Sequence, residues 1–210
     1  MSKVRPKILI TGFGRFPGAP SNPTMPLVAR LARAARRQGL DCVAHVFATR
    51  YAAVDRELPA LIAEHRPDAI VMFGLAGRRR HVSIELLARN RMSTWFPDAG
   101  GFLPPRAAIV GDAPATLRGR AAFSYLLAAA RATRVRTRLS RDAGKYLCNY
   151  VYWRALEAAA QPDGPRRAVF IHVPPVGKTT RPRARAKRHR FTPDELFRAG
   201  KAILLAIGRR

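Results

Sequence analysis

A thiol, an imidazole and a carboxylate stand in three separate segments of this 210-residue chain, each placed where hydrolytic chemistry would want it. Cys148 lies in Asp142-Ala-Gly-Lys-Tyr-Leu-Cys148-Asn149-Tyr150, at the start of a stretch that reads as a helix. His172 lies in Ala168-Val-Phe-Ile-His172-Val-Pro174-Pro175, where an apolar strand runs out. A cysteine in the first turn of a helix feels the positive end of the macrodipole, which favours the thiolate. An imidazole at a strand end would take the thiol proton and return it to a leaving amine. Glu85, upstream of both, would hold that imidazole in one tautomer and stabilise its cation. Gly144 lets the backbone turn tightly into the helix, and the amide of Cys148 would face an oxyanion. Taken singly, a helical Cys and a strand His are more often core residues. Glu85 alone is as easily an ion-pair partner of Arg78 or Arg89.

The elements that must bring these residues together alternate along the chain. Apolar runs bounded by Gly or Pro predict strands over 7–11, 42–48, 68–74, 82–87, 135–139 and 167–173. Helical spacing predicts helices over 25–37, 52–65, 123–131 and 146–160. Thr192-Pro-Asp-Glu195 carries an N-cap, a proline at the first helical position and two acids in the first turn. It opens a terminal helix over 193–207. Residues 91–120 read as loops with short strands. Strands separated by helices imply an α/β fold, a three-layer α/β/α sandwich with a mostly parallel, partly mixed central sheet. One domain over 1–210 is expected, with a basic loop at about 177–191.

Hydrophobic residues make up 48% of the chain, enough to fill a core. Against 13 Asp and Glu there are 39 Lys and Arg, only six of them Lys, for a formal charge of +26. Such a surface attracts polyanions and acidic partners without sequence preference. The densest run is Arg181-Pro-Arg-Ala-Arg-Ala-Lys-Arg-His-Arg190, with no zinc-finger spacing or RNA-recognition signature beside it. Gly12-Phe-Gly14 and Gly74-Leu-Ala-Gly77 have neither dinucleotide nor Walker spacing, and no cofactor or metal is expected. Cys42 sits in a strand-like run and reads as an inert core thiol; two distant cysteines suggest a reducing, cytoplasmic setting. The N-terminal apolar run is too short for a signal peptide, and no run approaches the ~20 residues of a membrane span.

Five blocks, in order, resemble the pyroglutamyl peptidase I (pyrrolidone-carboxylate peptidase) family of cysteine peptidases. They are Ile8 to Phe16 with Asn22-Pro23; Pro67-Asp68 to Gly74 with Ala76-Gly77-Arg78; Ile84-Glu85-Leu-Leu-Ala88-Arg-Asn90; Ala143-Gly144-Lys-Tyr-Leu-Cys148-Asn149 with Tyr152; and Phe170-Ile-His172-Val-Pro174. The resemblance implies a Cys148, His172, Glu85 triad that removes an N-terminal pyroglutamyl or related N-acyl group through a thioester. It also implies an apolar pocket from Phe13, Phe16, Leu75, Phe96, Tyr146 and Leu147, and a homo-oligomer, dimer or tetramer. The departures concern the substrate. Leu75 stands where the family usually has glutamine, and a leucine side chain offers a lactam no hydrogen bond. Trp95 stands where an arginine usually precedes the Pro-Asp pair, and Ala99 and Pro175 replace an asparagine and an aromatic. Losing a charged donor near an oxyanion costs on the order of 3 kcal/mol. The alternative to a peptidase is a catalytically weak relative that binds acidic partners or nucleic acid through its arginines.

Overall fold

The computed structural model describes residues 6–16, 20–177 and 190–209. Most of the basic loop expected at 177–191 lies outside the described residues.

Six strands form one sheet in the order β2-β1-β3-β8-β4-β7: β1 (Lys7–Phe13), β2 (Asp41–Phe47), β3 (Ala69–Leu75), β4 (Val82–Glu85), β7 (Thr137–Ser140) and β8 (Arg167–Val173). Every neighbouring pair is parallel except β4 and β8, so the sheet is mixed as expected. Short β5 (Leu87–Arg89) and β6 (Thr116–Arg118) pair antiparallel in a sheet of their own. The run 82–87, read as one strand, is therefore two. Leu86 gives its N–H to Ser140 and its carbonyl to Gly119, and the chain changes sheets there.

Helices cover both faces. α1 (Thr24–Arg37), α3 (Phe123–Ala132) and α5 (Pro193–Gly208) pack on one, over Ile8, Val71, Phe73, Ile84 and Ile171. α2 (Tyr51–His65) and α4 (Leu147–Ala159) pack on the other, over Leu9, Ile70, Met72, Ala168 and Phe170. Because side chains alternate along a strand, residues 168 and 170 share the α4 face with 172, whereas 169 and 171 face α1 and α5. The capping signal before α5 is realised in both directions. Thr192 Oγ1 accepts from Glu195 N at 3.2 Å, and Glu195 Oε2 accepts from Thr192 N at 2.8 Å.

The chain passes from β1 to the edge strand β2 and then back across β1 to β3. That reversal opens a crevice at the carboxyl ends of β1 and β3, the customary ligand position in an open α/β sheet. The loop after β1 is fixed by Asn22, whose Nδ2 donates to Gly14 O at 3.0 Å, and by Thr24, whose Oγ1 accepts from Phe13 N at 3.1 Å.

Candidate active site

Strand parity and register decide where the chemistry meets. Ser83 pairs with His172 and Glu85 with Phe170 across the antiparallel β4–β8 pair, so Glu85 and His172 project to the same face. Gly74 on β3 is the register neighbour of His172 on its other side. α4 covers this face and brings its first turn down onto Gly74. A methyl group added at Gly74 would stand 2.7 Å from Cys148 Sγ and 2.6 Å from Phe170 Cζ. The sulfur thus rests on the strand adjacent to the imidazole, and the Phe170 and His172 rings lie 4.8 Å apart. The sheet brings together three residues separated by up to 87 positions.

Glu85 is fully buried, and its Oε1 lies 2.8 Å from His172 Nδ1. With Nδ1 donating to the carboxylate, Nε2 is the nitrogen left to face a thiol, the tautomer a general base needs. Arg79 Nη1 also donates to Glu85 Oε1, and Arg79 Nη2 donates to the Asp142 carbonyl on the loop before Cys148. One guanidinium therefore ties the Glu85 carboxylate to the loop that leads into Cys148. The ion-pair partner expected from sequence was Arg78 or Arg89. Arg89 instead reaches Asp142 and the Arg141 carbonyl, and Arg79, overlooked in the sequence, takes the role. Tyr152 donates to the Glu85 carbonyl at 2.9 Å, fixing that backbone.

Cys148 is the second residue of α4, entered through Gly144 at φ 84° and an extended Tyr146. The positive φ at Gly144 is one that a Cβ would oppose. Burial opposes the thiolate expected at this helix end. Burial pushes the Cys148 thiol up to about 12, aided by the nearby Glu85 charge, against smaller opposing effects of Arg79 and its own backbone N–H. Desolvation of a sulfur outweighs the half-charge of a helix terminus. Burial also lowers His172 from its ordinary value, and hydrogen bonding to Glu85 only partly offsets this. Both shifts favour the uncharged forms, a thiol and a neutral imidazole.

Asn149 follows Cys148 into the fold and is fully buried. Its Nδ2 donates to the carbonyls of Arg89 at 2.8 Å and Arg91 at 2.9 Å, and its Oδ1 accepts from Arg89 N at 2.8 Å. This clamps the segment after Glu85 against α4. Asp98 does the same for the outer loop. Its Oδ2 accepts from Tyr51 N, the first amide of α2, at 3.0 Å, and its Oδ1 accepts from Gly100 N and Phe102 N. The sequence signal for Asp98 was the following Gly-Gly, typical of a side chain that caps its own turn.

The six residues expected to wall a pocket separate into three groups. Phe13 and Leu147 are buried in the core on the α4 face, Phe13 with its ring 6.0 Å from Phe47. Phe16, Leu75 and Tyr146 are half-buried, and Tyr146 donates to the Pro97 carbonyl at 2.9 Å. Phe96 is 69% exposed and Trp95 85% exposed, so both rings face solvent.

A family model for pyroglutamyl peptidase matches residues 6–190. The chain belongs to the pyroglutamyl peptidase family. A pyrrolidone-carboxylate peptidase of Thermococcus kodakarensis is 32% identical over 168 residues, 80% of this chain and 81% of that one. The human pyroglutamyl-peptidase 1 is 29% identical over 211 residues, covering 97% and 90%. Among solved structures, the pyrrolidone carboxyl peptidase of Thermococcus litoralis superposes with a TM-score of 0.84 at 25% identity, covering 96% of this chain and 92% of that one. The Bacillus amyloliquefaciens pyroglutamyl peptidase I reaches 0.86 at 24% identity, covering 98% of each, and so shares the fold. Glu85, Cys148 and His172 all fall within the span matched to the pyroglutamyl peptidase family.

Gly74 gives a first test of this arrangement. Gly74→Ala is expected to lower stability by about 1–3 kcal/mol through overpacking and to displace the sulfur. Thermal unfolding and the rate of Cys148 alkylation check this. An alanine variant of unchanged stability and reactivity would contradict the contact.

Proposed function

We propose that this protein is a cysteine-type omega-peptidase. It removes an N-terminal pyroglutamyl residue, or a closely related N-acyl group, with Cys148 as nucleophile, His172 as general base and acid, and Glu85 as the orienting acid. The observation that carries this is the buried contact of Glu85 Oε1 with His172 Nδ1 at 2.8 Å, beside a helix-terminal thiol seated on the neighbouring strand. As the sulfur bonds to the acyl carbon, Nε2 of His172 takes the thiol proton and the carbonyl oxygen gains negative charge. The free amides of the first turn of α4 are the nearest built-in donors for that charge. The C–N bond then breaks, and the imidazolium returns the proton to the departing amine. Water, deprotonated by the same imidazole, cleaves the thioester and restores the thiol.

Proton transfer in the attack itself, rather than a preformed ion pair, is what these shifts toward the uncharged forms favour. Iodoacetamide alkylation of Cys148 is therefore expected to rise about tenfold per pH unit from pH 6 to 9 without a plateau. The acid limb of kcat/KM is expected to fall with a midpoint below 6.5, because burial lowers His172 and only its neutral form accepts a proton. A plateau of alkylation near neutral pH would restore the ion pair. Cys42 competes poorly for the label, being only 2% exposed where Cys148 is half-buried.

Substrate class is tested with pyroglutamyl-aminocoumarin beside other N-acyl aminocoumarins. Release from the pyroglutamyl compound, lost after alkylation of Cys148, supports the reading; silence across the panel defeats it. Two free thiols favour a reducing compartment as the working environment. The arginine-rich surface adds a separate property, attraction of polyanions. Supporting it, a hollow of about 450 Å³ is lined by Arg80, Arg131, Arg134, Arg136 and Arg138 with His81 and no acid.

A further inference from the structure

Three tyrosines pack together where α2 meets α4, and two of them have hydrogen-bond partners. Tyr146 donates to the Pro97 carbonyl at 2.9 Å and Tyr150 to Asp55 Oδ1 at 2.7 Å. Tyr51 does not. Its ring is 3% exposed and is held edge-on by Tyr150 at 4.9 Å, Tyr146 at 6.1 Å and Phe102 at 6.0 Å. Its hydroxyl is buried and has no partner among the described residues. A buried hydroxyl without a partner costs the fold stability, and native structures keep few of them. Phenylalanine would fill the same space without that cost.

The position of the orphan gives it a use. Tyr51 opens α2, with its N–H fixed by Asp98, so the ring cannot drift from the crevice end of the sheet. Tyr146, against which the ring packs, is two residues before the nucleophile. That ring contact ties the Tyr51 phenol to the segment leading into Cys148. Burial raises that phenol well above its ordinary value, so it stays a donor at any working pH. Leu75, half-buried at the end of β3, has a side chain that can make no hydrogen bond. A cyclic amide entering this apolar space brings a ring carbonyl that needs a donor.

We propose that the Tyr51 hydroxyl donates a hydrogen bond to the ring carbonyl of the bound pyroglutamyl group and so sets specificity for a cyclic amide. This rests on the pyroglutamyl reading above. Tyr51 forms no bond to the reacting atoms; it selects the acyl group. The hydroxyl is left unpaired in the free protein and finds its partner only when substrate arrives.

The test replaces one atom on each side of the contact. Tyr51→Phe keeps the ring and removes the oxygen. Cyclopentanecarbonyl-aminocoumarin keeps the substrate's five-membered ring and removes its carbonyl and N–H. The wild type is expected to favour the pyroglutamyl compound strongly. Tyr51→Phe is expected to raise KM for that compound about 10- to 100-fold with kcat little changed, to leave the carbocyclic compound unaffected, and to keep or raise Tm. A Tm that falls while the substrate preference holds would make Tyr51 a packing residue and overturn the proposal. Equal effects on both substrates would overturn it as well. Turnover by wild type with Tyr51→Phe unchanged defeats this inference alone, whereas no turnover by wild type defeats the pyroglutamyl reading and this inference with it.

Discussion

Cys148→Ala is expected to reduce kcat/KM on a pyroglutamyl-aminocoumarin by about 10⁶-fold, the scale seen when a hydrolase loses its nucleophile. The fold should survive, because α4 does not depend on the sulfur. Leu147, Tyr150, Val151, Tyr152 and Trp153 anchor the helix, and Asn149 makes its three hydrogen bonds through its own side chain. Alanine leaves a small void over Gly74, and far-UV circular dichroism should be unchanged. Cys148→Ser is the more searching variant. Its hydroxyl would be as buried as the thiol and intrinsically far less acidic. His172, already made a weaker base by burial, would have to remove a proton the serine holds much more tightly. Serine is therefore expected to fail nearly as completely as alanine. Retention of even a tenth of the activity in either variant would remove Cys148 from the nucleophile's role.

The sequence exposed some parts of this site and concealed others, for identifiable reasons. Strand ends and helix starts are local, so the positions of Cys148 and His172 at such boundaries could be read directly. Whether a helix terminus would ionise a thiol could not, since the answer depends on what covers the sulfur. Gly74 and Phe170, which cover it, lie 74 residues before it and 22 after, on strands that local pattern cannot align. The arginine that pairs with Glu85 is hidden for a similar reason. Three consecutive arginines, Arg78 to Arg80, follow Gly77, and only the course of the loop back toward β4 selects Arg79. The strand at 135–139 begins two residues late, at Thr137, because α3 ends in a turn that places Arg134 at φ 62°. Tyr51 lay just outside the helix expected from Ala52, and nothing local marks an unpaired hydroxyl. Trp95 and Phe96 show the converse. The resemblance suggests Phe96 as a pocket wall, yet Ser93 holds the amides of both residues so that both rings face out.

Glu85→Gln and Arg79→Met together are expected to reveal how the buried carboxylate works. In Glu85→Gln the side-chain oxygen can still accept from His172, so geometry is kept and charge is lost. The imidazolium that forms during attack then loses its counter-charge while the Arg79 guanidinium remains beside it. A loss of roughly 10³- to 10⁴-fold in kcat/KM follows, as when a triad aspartate is replaced by its amide. The sign of the pH effect is fixed as well. Glu85 raises His172 and Arg79 lowers it, so the glutamine variant should lose its acid limb at lower pH than wild type. Arg79→Met acts oppositely on the imidazole: without the cation His172 rises, and the acid limb moves up toward 6.5. Its rate loss should be smaller, about 10- to 100-fold, reflecting a carboxylate no longer held to the Asp142 carbonyl. Arg79→Lys should recover only part of this, since an ammonium keeps the charge but not the two-pronged grip. In the double variant the unpaired guanidinium of Glu85→Gln is gone, so the two losses should fall well short of multiplying. Strict multiplication of the single effects would mean that Arg79 and Glu85 act independently, and that the guanidinium is a surface charge rather than the support of the catalytic acid.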